Sequence, residues 1–442
     1  MRRKGILFIV LQILFLSSAW SQDDLTLEKA IATGLENNYS IQIADKSREI
    51  EANNNTLGNA GFLPTLDLDV SKTYQSQDVD LEIQGADGTF NVTREGAKSD
   101  RLNSSATLNW TIFDGLGMFV SKDKLEEMEA AGEMDSRIAV ENTTAAIASA
   151  YYRIVLEQAQ LKVLEQTLEL SRQRVEFAKS RYEIGKGSKI DYLTAQVDFN
   201  ADQTSLIVQK EVLINAKIDL NVLLGRDPTI EFAAVDSIVL NDQLVYEELE
   251  ENIHTSNPEL LRAISEQNIT YMEYKENVAM RYPSLDLNVS YGYGTSNNDA
   301  GQLRYSQNNG WTYGVSASWN IFNGFNRNRE IQNARIRRES ADLAKEETEL
   351  QLLADLSKRY SNYTNSLDLA KLEQSNVDVA RENAEIAVDR YRLGVGTSLE
   401  LREAQRNYVD AQARLLDAQL VAKLAEIELL RLSGSFIKVY SE

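Results

Sequence analysis

Apolar residues return at every seventh position along two long stretches of this chain and at every second position along four shorter ones. Between Ile154 and Ile184 two seven-residue series run side by side: Ile154, Leu161, Leu168, Val175, Tyr182, and Leu156, Val163, Leu170, Phe177, Ile184. A strict seven-residue period predicts left-handed supercoiled packing of helices. Two adjacent series make a face wider than a two-stranded coil needs, so a bundle is expected. The register recurs as Tyr363, Ala370, Val377, Ala384, Tyr391 beside Asn365, Leu372, Val379, Ile386, Leu393, where the alanines allow closer approach. Residues 122–184 hold no proline and one interior glycine, Gly132. At 1.5 Å per residue, about sixty residues of helix span roughly 90 Å, far more than a compact domain accommodates.

The period changes to two after Pro64, where Leu66, Leu68 and Val70 alternate with Asp67, Asp69 and Ser71, and again after Pro283, at Leu285, Leu287, Val289, Tyr291 and Tyr293. A second strand follows each: Ala106, Leu108, Trp110, Ile112, and Trp311, Tyr313, Val315, Ala317, Trp319, Ile321. These predict two hairpins, 62–113 and 283–322, with tips at about 75–101 and 295–309 that read as exposed polar loops. An apolar face rich in Trp and Tyr suits lipid, and a polar face suits a wet lumen. Trp110, Trp311, Trp319, Tyr291 and Tyr293 are the candidates for a membrane aromatic belt. Four strands cannot close, since barrels begin near about eight. A membrane sheet of this kind therefore needs two, three or four copies of the chain, together with outer lipid.

The chain is internally duplicated. Arg181-Tyr182-Glu183-Ile184-Gly185-Lys186-Gly187 recurs as Arg390-Tyr391-Arg392-Leu393-Gly394-Val395-Gly396, and the strand end Trp110–Gly115 recurs as Trp319–Gly324. The paired glycines suit helix ends, and Ser188 and Thr397 or Ser398 are placed to cap return helices that run to about Leu224 and Leu432. Helices near 25–58 and 257–281 are expected to continue the stack. The resulting division is an export signal over 1–21, a first repeat over 22–225, an inter-repeat belt over 226–256, a second repeat over 257–434 and a tail over 435–442. The signal rests on Arg2, Arg3 and Lys4, the apolar run Ile6–Leu16 and the small residues before Ser21; its core is too short to span a bilayer.

Composition narrows the chemistry. Formal net charge is -21 with no basic stripe, which argues against nucleic acid. The absence of cysteine excludes disulfides, thiolate metal sites and a lipid on an N-terminal cysteine. The single histidine, His254, has no histidine or cysteine partner in its surroundings, and no catalytic set, metal motif or cofactor motif is present. Gly185 and Gly187 do not make a phosphate loop, because no strand precedes them and no Lys-Ser/Thr pair follows.

The duplicated Arg-Tyr-x-x-Gly-x-Gly turn, the duplicated Trp-x-Ile-Phe-x-Gly strand end, and Leu-Pro-Thr-Leu or Tyr-Pro-Ser-Leu at the strand starts, taken in this order over about residues 23–434, resemble the TolC family of outer-membrane efflux proteins. The resemblance implies a mainly α protein with transmembrane β: four barrel strands per chain in a homotrimer's shared twelve-strand barrel, joined to a long periplasmic helical tunnel. It implies an exit channel in the outer membrane for a tripartite pump or type I secretion system. The implied partners are a periplasmic adaptor and an inner-membrane RND, ABC or MFS transporter. It makes Glu400 and Glu403 candidates for a ring of carboxylates at a narrow periplasmic gate, with Arg402 as the candidate lock and Asp191 at the matching place in the first copy. It makes Arg181, Tyr182, Gly185, Gly187, Arg390, Tyr391, Gly394 and Gly396 candidates for an adaptor-docking tip. The rival readings are a non-conducting trimeric envelope fibre or adhesin, and the adaptor itself.

Overall fold

The computed structural model describes residues 23–85, 88–300 and 303–440, so the expected export signal lies outside the described residues. In chain order the elements are β1 Asp23–Leu25, α1 Leu27–Asn37, α2 Tyr39–Asn54, β2 Thr65–Gly85, β3 Gly88–Phe113, α3 Gly117–Glu183, α4 Lys189–Leu223, β4 Phe232–Ala234, α5 Tyr246–Ser256, α6 Pro258–Ala279, β5 Ser284–Asn298, β6 Tyr305–Ser318, α7 Asn326–Arg392, α8 Ser398–Leu432 and α9 Phe436–Tyr440. The helices α3 and α7 have 67 residues each, and α4 and α8 have 35 each. Among the described residues, no helix is long and apolar enough to cross a membrane.

The residues fall into two compact units. One comprises Ser40–Val140 and Glu250–Asp355 and holds an antiparallel sheet in the order β2-β3-β5-β6, with β2 and β6 at its edges. Its register lines up Leu66 with Leu108, Leu108 with Val289, and Val289 with Tyr313 on one face; Asp67, Thr107, Ser290 and Thr312 share the other. Trp110, Tyr291, Tyr293 and Trp311 all lie on the apolar face, and the Tyr291 and Trp311 rings approach to 5.1 Å.

Two expectations need correction here. Trp319 and Ile321 do not belong to a strand, because β6 ends at Ser318. The Trp319 indole Nε1 instead donates to Arg281 O at 3.0 Å, two residues before the strand-starting proline, and Trp110 Nε1 makes the matching bond to Phe62 O at 2.9 Å. The amphipathic indole thus ties each strand end to the helix-to-strand bend. Residues 75–101 are not a loop: β2 and β3 continue pairing to Gly85 and Gly88 as a two-stranded ribbon. Alternating polar and β-branched residues there carry a strand period that the polar composition obscured.

Among the described residues, the other unit comprises 23–39, Glu141–Leu249 and 356–440. Its core gathers Leu25, Ile31, Ile147, Tyr151, Ile154, Leu220, Phe232, Ile427 and Phe436, all buried. The short strands β1 and β4 pair in parallel, and residues 235–245 follow as a strap without regular structure. Side chains of α7 and α8 hold the strap's backbone. Tyr360 Oη donates to Leu244 O at 3.1 Å, Tyr363 Oη donates to Asn241 O, Lys423 Nζ donates to Val239 O at 3.0 Å, and Asn241 N donates to Glu426 Oε2 at 3.2 Å. Burial pushes the Tyr363 phenol up to about 12, and the Glu426 carboxylate adds to the shift. Asp236 accepts from Tyr151 Oη at 2.7 Å and Leu27 N at 2.8 Å.

The expected belt 226–256 therefore consists of β4, this strap and the helix α5. The expected single helix near 25–58 is two helices broken at Asn38, and α5 and α6 are broken at Asn257, whose side chain accepts from Leu260 N at 2.8 Å. Asn257 caps α6, whose first residue is Pro258, whereas the Asn38 side chain donates to the distant Leu223 O at 2.7 Å.

The two seven-residue series also part company. On α7, Tyr363, Ala370, Val377, Ala384 and Tyr391 are buried, whereas Leu372, Val379 and Ile386, with Leu393 just past its end, are between 52% and 78% exposed. One seam is consumed within the chain and the other is left open.

Candidate gate and docking site

The turns that close the long helices are built alike. In the first, Lys186 N donates to Arg181 O at 2.8 Å and Gly185 N to Tyr182 O at 3.0 Å; in the second, Val395 N donates to Arg390 O and Gly394 N to Tyr391 O, both at 3.1 Å. This pairing of six-to-one and five-to-two bonds needs a left-handed residue, and Gly185 and Gly394 supply it with φ of 73° and 78°. Gly187 and Gly396 serve a different purpose. A Cβ on either would lie 3.0–3.1 Å from the Cβ of Arg181 or Arg390. Those arginines turn back on their own loops, with Arg181 Nη2 3.3 Å from Lys186 O and Arg390 Nη2 3.4 Å from Val395 O.

The two tyrosines of the repeated turn have different environments. Tyr391 is buried against Phe177, with ring centroids 5.2 Å apart, and burial raises its phenol. Tyr182 is exposed and lies parallel to Tyr192 on the return helix at 6.5 Å. Arg181 sits over the Phe177 ring at 5.9 Å.

The return helices start with side-chain caps. Ser188 Oγ accepts from Asp191 N at 3.1 Å and donates to Asp191 Oδ2 at 2.9 Å. Thr397 Oγ1 accepts from Glu400 N at 3.1 Å while Glu400 Oε2 accepts from Thr397 N at 3.2 Å, a complete capping box. Glu400 thus has one carboxylate oxygen on its own helix start, and Glu403 is exposed one turn on. Ser398 Oγ lies 3.5 Å from Asp191 Oδ1, which brings the two turns to each other.

The strongest link between the return helices lies deeper. Arg402 on α8 grips Asp202 on α4 through two parallel bonds, Nη1–Oδ2 and Nη2–Oδ1, each 2.9 Å, and its Nε is 3.8 Å from Asp198. Ser171 of α3 donates to Asp202, and Arg174 of α3 pairs with Asp198. Two guanidinium groups thus face two carboxylates across three helices. Asp202 is only 12% exposed and Arg174 3%. The hydrogen bonds it donates to Asp202 raise the Arg402 pKa further, so the guanidinium stays charged at any physiological pH. Such a bidentate pair is directional and specific to arginine. Further along α8, Arg414 is 3.1 Å from Glu373 of α7, and Tyr408 Oη is 3.3 Å from Arg381 Nε of α7.

Of these residues, Arg402 was singled out from the sequence; Asp198, Asp202, Arg174 and Ser171 were not. The spacing of Asp198 and Asp202 places both on one helix face, yet such pairs abound in an acidic chain, and the arginine that gives them meaning comes from a distant helix. Among the described residues, no group of three His, Cys, Asp or Glu side chains is placed to hold a metal ion.

Comparison with known proteins puts this geometry in context. The family described as "Outer membrane efflux protein" matches residues 30–226 and 249–435. Toluene efflux pump outer membrane protein TtgC of Pseudomonas putida is 23% identical over 428 residues, covering 94% of this chain and 84% of the relative. Alkaline protease secretion protein AprF of Pseudomonas aeruginosa is 23% identical over 398 residues, 87% of this chain and 79% of the relative. Among solved structures, the Campylobacter jejuni CmeC outer membrane channel superposes with a TM-score of 0.78 at 14% identity, over 94% of this chain and 89% of that one.

Proposed function

Because this chain belongs to the outer membrane efflux protein family and resides in the outer membrane with an extension into the periplasm, we propose that it is the gated exit duct of a tripartite efflux pump or a type I secretion system. Three copies pool their four-stranded sheets into one twelve-strand barrel, and their long helices into a periplasmic tunnel. The observation that carries this reading is the sheet itself. It has an apolar face, a polar face and two strands, β2 and β6, with a free edge in the chain. Edges exposed to hydrocarbon cost several kcal/mol per unpaired group, about what a lost hydrogen bond costs in an apolar medium. Closure by identical copies removes that cost. The open seam of Leu372, Val379, Ile386 and Leu393 supports the same assembly, since a seven-residue stripe is covered best by another helix.

Passage is passive, and a partner in the inner membrane supplies the energy through a periplasmic adaptor. Family members serve both kinds of partner system, as the names of TtgC and AprF indicate. In this reading the repeated glycine turns, with Arg181, Tyr182, Arg390 and Tyr391 beside them, receive the adaptor. The Arg402 grip on Asp202 and Asp198 holds the return helices together in the resting state. Glu400, Glu403 and Asp191 put negative charge at the entrance, which favours cations.

The test is single-channel recording of the purified oligomer in planar bilayers. A closed or small resting conductance that grows when Arg402 is removed supports the duct and its latch. A protein that inserts as an oligomer but never conducts, in the native form or as a tip variant, sinks the duct and favours an envelope fibre.

A further inference from the structure

The β2–β3 ribbon reverses its polarity beyond the membrane part of the sheet. Up to Gln77, the odd-numbered residues of β2 form the polar face: Asp67, Asp69, Ser71, Thr73, Gln75 and Gln77. Past Gln77 the same side continues as Val79, Leu81 and Ile83, whose partners on β3 are Arg94, Val92 and Phe90. The opposite side turns from Leu66, Leu68 and Val70 to Asp80, Glu82 and Gln84, opposite Thr93, Asn91 and Thr89.

The reversal is built into the pairing. Between the pairs Gln77–Ala97 and Val79–Arg94, β3 spends one residue more than β2. Gly96 takes φ of 60° there, and its N–H donates to Asp78 Oδ1 at 2.7 Å. This is a bulge with glycine in the left-handed position, carried by β3, so β2 keeps its alternation through it. The base of the ribbon is fixed to the turn between β5 and β6: Asp299 N donates to Lys98 O at 2.9 Å, and Arg94 donates to Asp299 O. The apolar side is not consumed inside the chain, as Leu81 and Phe90 are both exposed.

In the closed barrel proposed above, on which this step rests, the polar side of the sheet faces the lumen. The ribbon continues that side outward at the mouth remote from the helices, and β2 is the edge strand at which neighbouring copies meet. We propose that the apolar sides of the ribbons, centred on Leu81, Ile83, Phe90 and Val92, converge over the outer mouth of the duct. Each ribbon packs against the same ribbon of another copy, forming an outer constriction separate from the periplasmic gate. With β2 at the edge of each sheet, the copies that close the barrel bring their own ribbons to the same mouth. The acidic outward side, with Asp80 and Glu82, disfavours the alternative of lying down on lipid.

The chain has no cysteine, so single-cysteine variants report proximity directly. Ile83→Cys and Phe90→Cys are compared with the outward-facing controls Glu82→Cys and Asn91→Cys, in outer membranes treated with oxidant or a short bismaleimide. Linked pairs of chains are expected for Ile83→Cys and Phe90→Cys and not for the controls. In bilayers, the double variant Leu81→Asp with Phe90→Asp is expected to raise conductance by about twofold or more, because like charges facing one another hold the mouth apart. Oligomers that form and conduct, yet show no such links and no change in conductance, overturn the outer constriction and leave the duct standing. Links through Glu82→Cys alone overturn it too, by reversing the direction of the apolar side. Absence of any oligomer overturns the barrel itself.

Discussion

Replacing Arg402 with alanine is the most direct perturbation of the proposed latch. The substitution removes both 2.9 Å bonds to Asp202 and the 3.8 Å contact with Asp198, and leaves Arg174 as the remaining cation in the cluster. The pair is neither surface nor core, with Arg402 24% and Asp202 12% exposed. Exposed pairs contribute about 0.5 kcal/mol and breaking fully buried ones costs about 3–5 kcal/mol, so about 2 kcal/mol per chain is the expected loss. Each 1.4 kcal/mol is a factor of ten, so the balance between closed and open entrance shifts by about thirtyfold per chain. Arg402→Lys keeps the charge without the fork and should lose about half as much. Single-channel recording measures the open fraction, and a cycle with Asp202→Asn measures the coupling, expected at about 1–2 kcal/mol. Strictly additive effects of Arg402→Ala and Asp202→Asn, or an Arg402→Ala channel that opens no more often than the native one, would refute the latch.

Tyr363→Phe should change alkaline stability. The folded phenol is raised to about 12 against an ordinary value of 10.0, so its contribution is complete below pH 10 and is lost as pH rises through 12; two units correspond to about 3 kcal/mol. Denaturant midpoints between pH 9 and 12 should therefore fall more steeply for the native protein than for Tyr363→Phe, and parallel curves would contradict the reasoning. Trp319→Phe removes the bond to Arg281 O and should lower thermal stability by about 1 kcal/mol, and Trp110→Phe should act alike at Phe62 O, as melting in detergent would show. Glu400→Gln keeps a capping side chain, so it should unfold like the native protein within about 0.5 kcal/mol while reducing cation preference in reversal-potential measurements. Equal selectivity in both would remove Glu400 from the entrance.

The sequence determined by itself whatever depends on local period and local turn chemistry. The seven-residue series marked the long helices, the two-residue period marked the strands of the four-stranded sheet, and the repeated glycines and Ser or Thr caps marked the bends, because each signal sits within a few residues of the structure it specifies. Tertiary structure decided what depends on partners far apart in the chain. Asp198 and Asp202 gained a partner only when Arg402 arrived from α8, and Trp319 left the strand with its indole donating to the Arg281 carbonyl. The two seams of α7 look alike in sequence, and only packing showed that Tyr363 to Tyr391 face the chain while Leu372 to Ile386 do not. The ribbon's reversal is legible on β2, where the odd-numbered residues pass from Gln75 and Gln77 to Val79, Leu81 and Ile83; on β3 it was hidden, because the bulge at Gly96 sets Val92 and Phe90 opposite them, and that is fixed by hydrogen bonding between the two strands.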